Sequence, residues 1–126
     1  MIEHKHLIIR AEIDNPPKDP EFAKQWLREL VDKIGMKLID VEHNPISGYV
    51  DIPGNRGLTA VAMIQTSHIA LHVWDEEDPS LLQLDVYTCS SLSPTDVFDH
   101  MEQFGILAKS FLYLDRENTI QQIVDV

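Results

Sequence analysis

A serine, two histidines and the cysteine, residue types that serve as nucleophiles or as acids and bases near neutral pH, fall within one central stretch, GLTAVAMIQTSHIALHVWDEEDPSLLQLDVYTC, which runs from Gly57 to Cys89. They are Ser67, His68, His72 and Cys89. One chemistry they suggest is metal binding, because His68 and His72 are four apart and on a helix would share a face. Ile69, Leu71 and Val73 alternate with them, however, and a period of two is that of a strand. At ~3.3 Å per residue the two imidazoles would stand ~13 Å apart, too far to share an ion. Structural zinc asks for three or four ligands, and the six histidines and single thiol show no such spacing, so no metal is expected. A second chemistry is a Cys/His pair. Cys89 shares strand parity with Tyr87 and Asp85, and if that face met His72 a thiol beside an imidazole could act as nucleophile or proton donor. The plainer alternative is that a lone strand cysteine is a small buried hydrophobe and a lone strand histidine a hydrogen-bonded, half-buried residue. Spacing alone leaves both open.

The elements that must position these residues alternate short strands with two helices. His6–Ile13 is rich in branched residues and predicts a strand, ended by the prolines of DNPPKDP. Asp19 as N-cap and Pro20 at the first helical position open a helix. Its apolar stripe is Phe22, Ala23, Trp26, Leu27, Leu30, Val31 and Ile34, and Gly35 stops it. Met36–His43 predicts the next strand, and NPISGYVDIPGNRG a loop. Leu58–Ile64, His68–Trp74 and Leu82–Cys89 predict three more strands, the last two separated by the acidic turn DEEDPS. Ser93-Pro94 repeats the cap signal before Val97, Phe98, Met101 and Phe104, and Lys109–Arg116 predicts a final strand. The tail TIQQIVDV fits either strand or helix. The order β-α-β-β-β-β-α-β implies an α+β fold, a two-layer sandwich of an antiparallel sheet with both helices on one face. The other face is left for a partner sheet or a ligand.

Length and charge narrow the function. The chain has 126 residues, 44% apolar and 25% charged, which is the make-up of one globular domain. One cysteine permits no internal disulfide, and a domain of this size needs none. Ten basic residues against 21 acidic ones leave a net charge of -11. Phosphate-rich nucleic acid and anionic membrane surfaces are therefore poor partners; the plain reading of the charge is a soluble surface that repels its own copies, and the sharper one a field that favours cationic substrates. No stretch approaches a membrane span, and MIEHKHLIIRAEID lacks the long apolar segment of a signal peptide, so a cytoplasmic location is expected.

The central stretch also resembles the processing region of the bacterial and archaeal S-adenosylmethionine decarboxylase proenzymes, small pyruvoyl enzymes of polyamine synthesis. Their pattern runs G-V-[ST]-x-V-x-x-x-x-E-S-H-x-x-x-H-T-W-P-E, followed by a strand ending D-[VIL]-[FY]-T-C. Here it is carried by Gly57-Leu58-Thr59, Thr66-Ser67-His68, His72-Val73-Trp74-Asp75-Glu76 and Asp85-Val86-Tyr87-Thr88-Cys89. The opening His6-Leu7-Ile8-Ile9 is similar to the family's first strand, and the likeness extends along most of the chain, as a single domain over residues 1–126.

The resemblance implies a mechanism. The Ser67 hydroxyl would attack the Thr66 carbonyl and convert the peptide bond into an ester. Elimination, with His72 assisting proton removal and Thr59 helping to hold the site, would cut the chain between Thr66 and Ser67. A pyruvoyl group would remain in place of Ser67, forming a Schiff base with the substrate amine and acting as an electron sink. Cys89 would protonate the carbanion left by decarboxylation, and His72 could go on serving as a general acid or base. Glu76 is the candidate partner for a cationic substrate, Trp74 a candidate stacking surface, and a homodimer is implied.

The sequence departs from the pattern at several places. Thr66 stands where the family has Glu, Asp75 where it has Pro, and DEEDPSLLQ is two residues longer. Ile52–Arg56 lacks the aromatic residue that stacks on adenine, a role Tyr49 or Trp74 could take. Strand parity adds a condition. Were residues 66 to 74 one regular strand, Ser67 and His72 would face opposite ways, so the mechanism calls for a turn or bulge near Ser67. Two other readings stay open: a relative that decarboxylates another cationic amino acid such as ornithine or arginine, and a non-processing member acting as a ligand-binding or interaction module.

Overall fold

The computed structural model describes residues 2–124. Period-two patterning decides which side of each strand is buried. Strand β1 (Lys5–Ile13) buries Leu7, Ile9, Ala11 and Ile13 and turns His6, Ile8, Arg10 and Glu12 to the opposite face. Strands β3 (Gly57–Ile64), β4 (Ser67–Trp74) and β5 (Ser80–Thr88) alternate in the same way. Helix α1 (Pro20–Lys33) lays Ala23, Trp26, Leu27, Leu30 and Val31 onto this apolar side. Asp19 caps it by accepting from the Glu21 amide at 3.1 Å. At its other end Gly35 takes φ 75°, and the Gly35 and Met36 amides donate to Asp32 and Val31, each at 3.0 Å. Helix α2 (Pro94–Met101) continues into a 3-10 turn, Glu102–Phe104, and buries Val97, Met101 and Phe104 on the same side. The two helices are tied by the Trp26 indole, which donates to the His100 carbonyl at 3.1 Å, and by His100 Nε2, which donates to the Trp26 carbonyl at 2.9 Å.

With β2 (Ile46–Val50), β6 (Ile106–Asp115) and β7 (Gln121–Gln122), the strands form one antiparallel sheet in the order β2-β3-β4-β5-β1-β6-β7. The α+β sandwich expected from the element order is the fold observed. No helix among the described residues is long and apolar enough to cross a membrane. The tail adds the short strand β7, and its last two residues lie outside the described residues.

Four local expectations need correction. Met36–His43 is not a strand and makes only one bridge, Leu38 to Ile64. The edge strand is β2, inside the segment read as a loop. Asn44 explains the exchange: its Oδ1 accepts from the Met63 amide and its Nδ2 donates to the Met63 and Ile39 carbonyls, each at 2.8 Å. A side chain thus occupies backbone groups that a ladder from 36–43 onto β3 would have used. Phe22, placed in the α1 stripe, is 41% exposed and rests edge-on against Phe104. Ser93 precedes α2 in extended geometry but makes no side-chain cap bond.

Gly57 opens β3 at φ 155°, and a Cβ there would stand 1.6 Å from the Val73 carbonyl oxygen. Close passage of β3 by β4 therefore requires a residue without a side chain. Gly57→Ala should lower the unfolding free energy by about 3 kcal/mol or more, read as a shifted urea midpoint at unchanged slope.

Candidate functional site

The β3–β4 hairpin turns through only two residues, Gln65 and Thr66, since Ile64 pairs with Ser67. Thr66 holds φ 56°, a left-handed conformation that a β-branched residue adopts at a cost of about 1–3 kcal/mol. The peptide bond following this strained residue is Thr66–Ser67. Cys89 comes up from the end of β5 against it. Its amide donates to Ser67 Oγ at 2.9 Å, its thiol lies 3.4 Å from the Gln65 carbonyl, and Thr66 Oγ1 stands 2.8 Å from its Sγ. Hydrogen bonds from Thr66 and Ser67 favour the thiolate and hold the Cys89 thiol below its ordinary pKa. Cys89 is half-buried, not the sealed hydrophobe of the plainer reading.

His72 is elsewhere. Strand β4 runs regularly from Ser67 to Trp74, with His68, Ala70, His72 and Trp74 facing away from the helices. His72 pairs with Thr59 across β3, and its Nδ1 lies 3.3 Å from Thr59 Oγ1. Five residues along a strand separate Ser67 from His72, roughly 16 Å, and their parities are opposed. The turn that the mechanism calls for is present before Ser67, but no bulge carries Ser67 round to His72. One chain thus holds the expected residues as two candidate half-sites: Thr66, Ser67 and Cys89 at one end of β4, and Thr59 and His72 toward the other.

A cleft of about 240 Å³ beside the second half-site is lined by Gly54, Arg56, Trp74, Glu76, Pro79 and Leu81 among others. Trp74 is held by its indole N–H, which donates to Asn55 Oδ1 at 2.9 Å, and its ring centre is 6.2 Å from that of His72. Tyr49 pairs with buried Leu58, on the helix side, and its hydroxyl donates to Asp75, which pushes its pKa up. Of the two aromatics considered for stacking, Trp74 is the one beside His72. The Glu76 carboxylate accepts from the Gly54 amide at 2.9 Å and from Arg56 Nη1 at 2.8 Å, so its charge is already answered within the chain.

Sequence reasoning passed over a further cluster. His6 of β1 and His68 of β4 both flank Tyr87 of β5, and Asp85, two residues earlier on the same face, bonds His6 Nε2 and lies 3.7 Å from His68 Nε2. His68 and His72 therefore belong to different groups, as their spacing implied. The signal was in the text: His6 and Asp85 each have the parity of their strand's outward face.

Comparison with known proteins agrees with this architecture. The fold matches the solved adenosylmethionine decarboxylase of Aquifex aeolicus with a TM-score of 0.65 at 22% identity, covering 95% of this chain and 98% of that one. That places the chain in an α+β fold class that includes a decarboxylase. Residues 6–117 match the S-adenosylmethionine decarboxylase family, and the chain belongs to that family. An S-adenosylmethionine decarboxylase proenzyme of Saccharolobus islandicus is 28% identical over 107 residues, 83% of this chain and 80% of that protein. Arginine decarboxylase proenzymes are similar as well. That of Ignicoccus hospitalis is 33% identical over 60% of this chain, and that of Caldivirga maquilingensis 30% identical over 67%. The matched segment spans 47% of the Ignicoccus protein and 59% of the Caldivirga protein, about half their lengths.

Proposed function

We propose that this protein is a self-cleaving decarboxylase proenzyme acting on S-adenosylmethionine or a related cationic amino acid, and that it works as a homodimer. The observation that carries the reading is the left-handed Thr66 immediately before Ser67, with Cys89 bonded to the serine oxygen. Strain in the residue supplying the carbonyl raises the ground state of the bond to be broken. Ser67 Oγ adds to the Thr66 carbonyl, the C–N bond breaks, and an ester and a free amine result. Removal of the Ser67 α-proton then expels the Thr66 carboxylate from Cβ and leaves a dehydroalanine. Hydrolysis with loss of ammonia turns this into a pyruvoyl group.

The residues present fit such a group. Position 67 lies in a shallow cleft with Thr66, His68 and Tyr87, and an acid of lowered pKa touches it. A pyruvoyl carbonyl would supply an electron sink for the electron pair left on the substrate's α-carbon when its carboxylate departs as carbon dioxide. Cys89, bonded to position 67, is the proposed proton donor, and the cleft of Trp74, Arg56 and Glu76, at the other end of β4, would take the rest of the substrate from a second copy of the chain. Because Glu76 is paired with Arg56, selection of a cationic substrate there requires Arg56 to release it.

Dimerisation answers the separation of the half-sites. The outward sheet face carries the exposed apolar side chains Ile8, Met63 and Leu112 beside His68, His72 and Trp74. Two copies packed by this face about a two-fold axis bring each end of β4 over the opposite end of its partner. His72 and Thr59 of the partner subunit then come over the Ser67–Cys89 end twice, where the cleft that holds Ser67 also takes in the outward-facing His68 and Tyr87. A non-processing binding module has the same fold, and in it the left-handed Thr66 would do no more than close the two-residue hairpin.

Denaturing mass spectrometry of the purified chain tests the reading. Two fragments, 1–66 and 67–126, are expected, the second blocked at its N-terminus. Borohydride together with S-adenosylmethionine, and in parallel with arginine, should add mass to the second fragment and identify the substrate by which one is captured. A single intact mass after prolonged incubation sinks the proposal.

A further inference from the structure

We propose that His6, His68 and Asp85 form a binding site for one zinc-like divalent ion on the outward face of the sheet. The site does not depend on self-cleavage. Three adjacent strands supply it, one ligand each, and β-ladder register fixes their backbones: His6 and His68 sit opposite Tyr87 on either side, and Asp85 reaches back between them. One ligand atom from each residue lies within 4.8 Å of the other two. First-row metals bond nitrogen and oxygen at about 2.0–2.2 Å, so tetrahedral ligand atoms stand about 3.4 Å apart. Admitting the ion needs His68 to draw in and the bonded His6 and Asp85 to part, and His68, whose side chain is 45% exposed in the single chain, has the freedom to move.

Two imidazoles and one carboxylate suit Zn²⁺, Co²⁺ or Ni²⁺ and leave positions open for water. Magnesium and calcium prefer all-oxygen sets and should not compete. The chain's net charge of -11 draws cations toward it.

Arg116 controls access to this site. Its Nη1 donates to His6 Nδ1 at 3.1 Å, and since a guanidinium only donates, Nδ1 is unprotonated and Nε2 carries the proton given to Asp85. A metal needs the Nε2 lone pair. Loading therefore moves the proton to Nδ1 or releases it to solvent, and Arg116 must withdraw from His6 in the first case. Arg116 has another resting place, because its guanidinium already lies 4.7 Å from the centre of the Tyr87 ring. The arginine thus holds the ligands together without metal and weakens the metal's hold on them.

The test is titration of untagged full-length protein with ZnCl₂ by calorimetry, with CoCl₂ absorption reporting coordination geometry. One equivalent per chain is expected, unaffected by excess MgCl₂. His68→Asn and Asp85→Asn should each weaken it tenfold or more, while His72→Asn and Cys89→Ala leave it unchanged. Arg116→Ala should tighten it several-fold, a gain that damaged folding could not produce. Absence of stoichiometric binding, binding indifferent to His68→Asn and Asp85→Asn, or weaker binding in Arg116→Ala overturns the assignment. These readouts hold for cleaved and uncleaved chains alike, so failure here is distinct from failure of the decarboxylase reading.

Discussion

A chain carrying His72→Ala, uncut when expressed alone, should be cut when co-expressed with a chain carrying Ser67→Ala. The expectation follows from the roughly 16 Å of strand between Ser67 and His72 and from their opposed parity. If the functional unit is made between two copies, a mixed dimer contains one damaged site and one intact site. The damaged one combines both substitutions. The intact one joins Ser67 and Cys89 of the His72→Ala chain to Thr59 and His72 of the Ser67→Ala chain. At equal expression and random pairing about half of the His72→Ala chains sit in mixed dimers, so about half should appear as fragments 1–66 and 67–126. All Ser67→Ala chains should stay whole. Because general acid-base assistance contributes about 10²–10⁴-fold, His72→Ala alone should show little or no product on the same timescale. Electrospray masses of the two chains, distinguished by their substitutions, give the answer. Rescue in the mixture is incompatible with a site assembled inside one chain, and failure of rescue with both variants folded removes the face-to-face dimer.

What the sequence made legible is whatever depends on neighbours along the chain. The alternation in HIALHVW placed His68 and His72 on one face and ~13 Å apart, and the structure keeps that arrangement. Asp19-Pro20 and Gly35 located both ends of α1 because capping is a local negotiation over a few backbone groups. Parity also warned that Ser67 and His72 oppose each other. Illegible were the effects of partners distant in sequence. Asn44 displaces the edge strand from 36–43 to Ile46–Val50 by bonding Met63, nineteen positions away. Strand β1 inserts between β5 and β6, which is what sets His6 beside Asp85. Neither event leaves a mark on the residues that flank it. Glu76 was legible as an acid near the site, but its pairing with Arg56 follows from the return of the loop before β3.

Cys89→Ala should separate cleavage from turnover: the chain still cuts, and decarboxylation falls by about 10²–10⁴-fold. The atom that positions Ser67 Oγ is the amide nitrogen of residue 89, and alanine retains it. Only the thiol is lost, and with it the proposed proton donor. The thiol's acidity should then change with processing. In the intact chain, hydrogen bonds from Thr66 and Ser67 hold its pKa below the usual value. Cleavage removes the Ser67 hydroxyl and makes Thr66 a chain end bearing a carboxylate. One of the two stabilising donors is gone and a negative charge is gained, and both changes favour the protonated thiol. The pKa should therefore rise on cutting, so the group is a stronger nucleophile before processing and a fuller proton reservoir after it. Iodoacetamide alkylation rates against pH would display this as a higher midpoint in the cleaved protein than in the uncut His72→Ala chain. On the high-pH side, decarboxylation should decline through that raised midpoint, because a deprotonated thiol has nothing to donate. Equal midpoints before and after cutting would show that Thr66 and Ser67 do not tune the thiol, and full turnover in Cys89→Ala would assign the proton to another group.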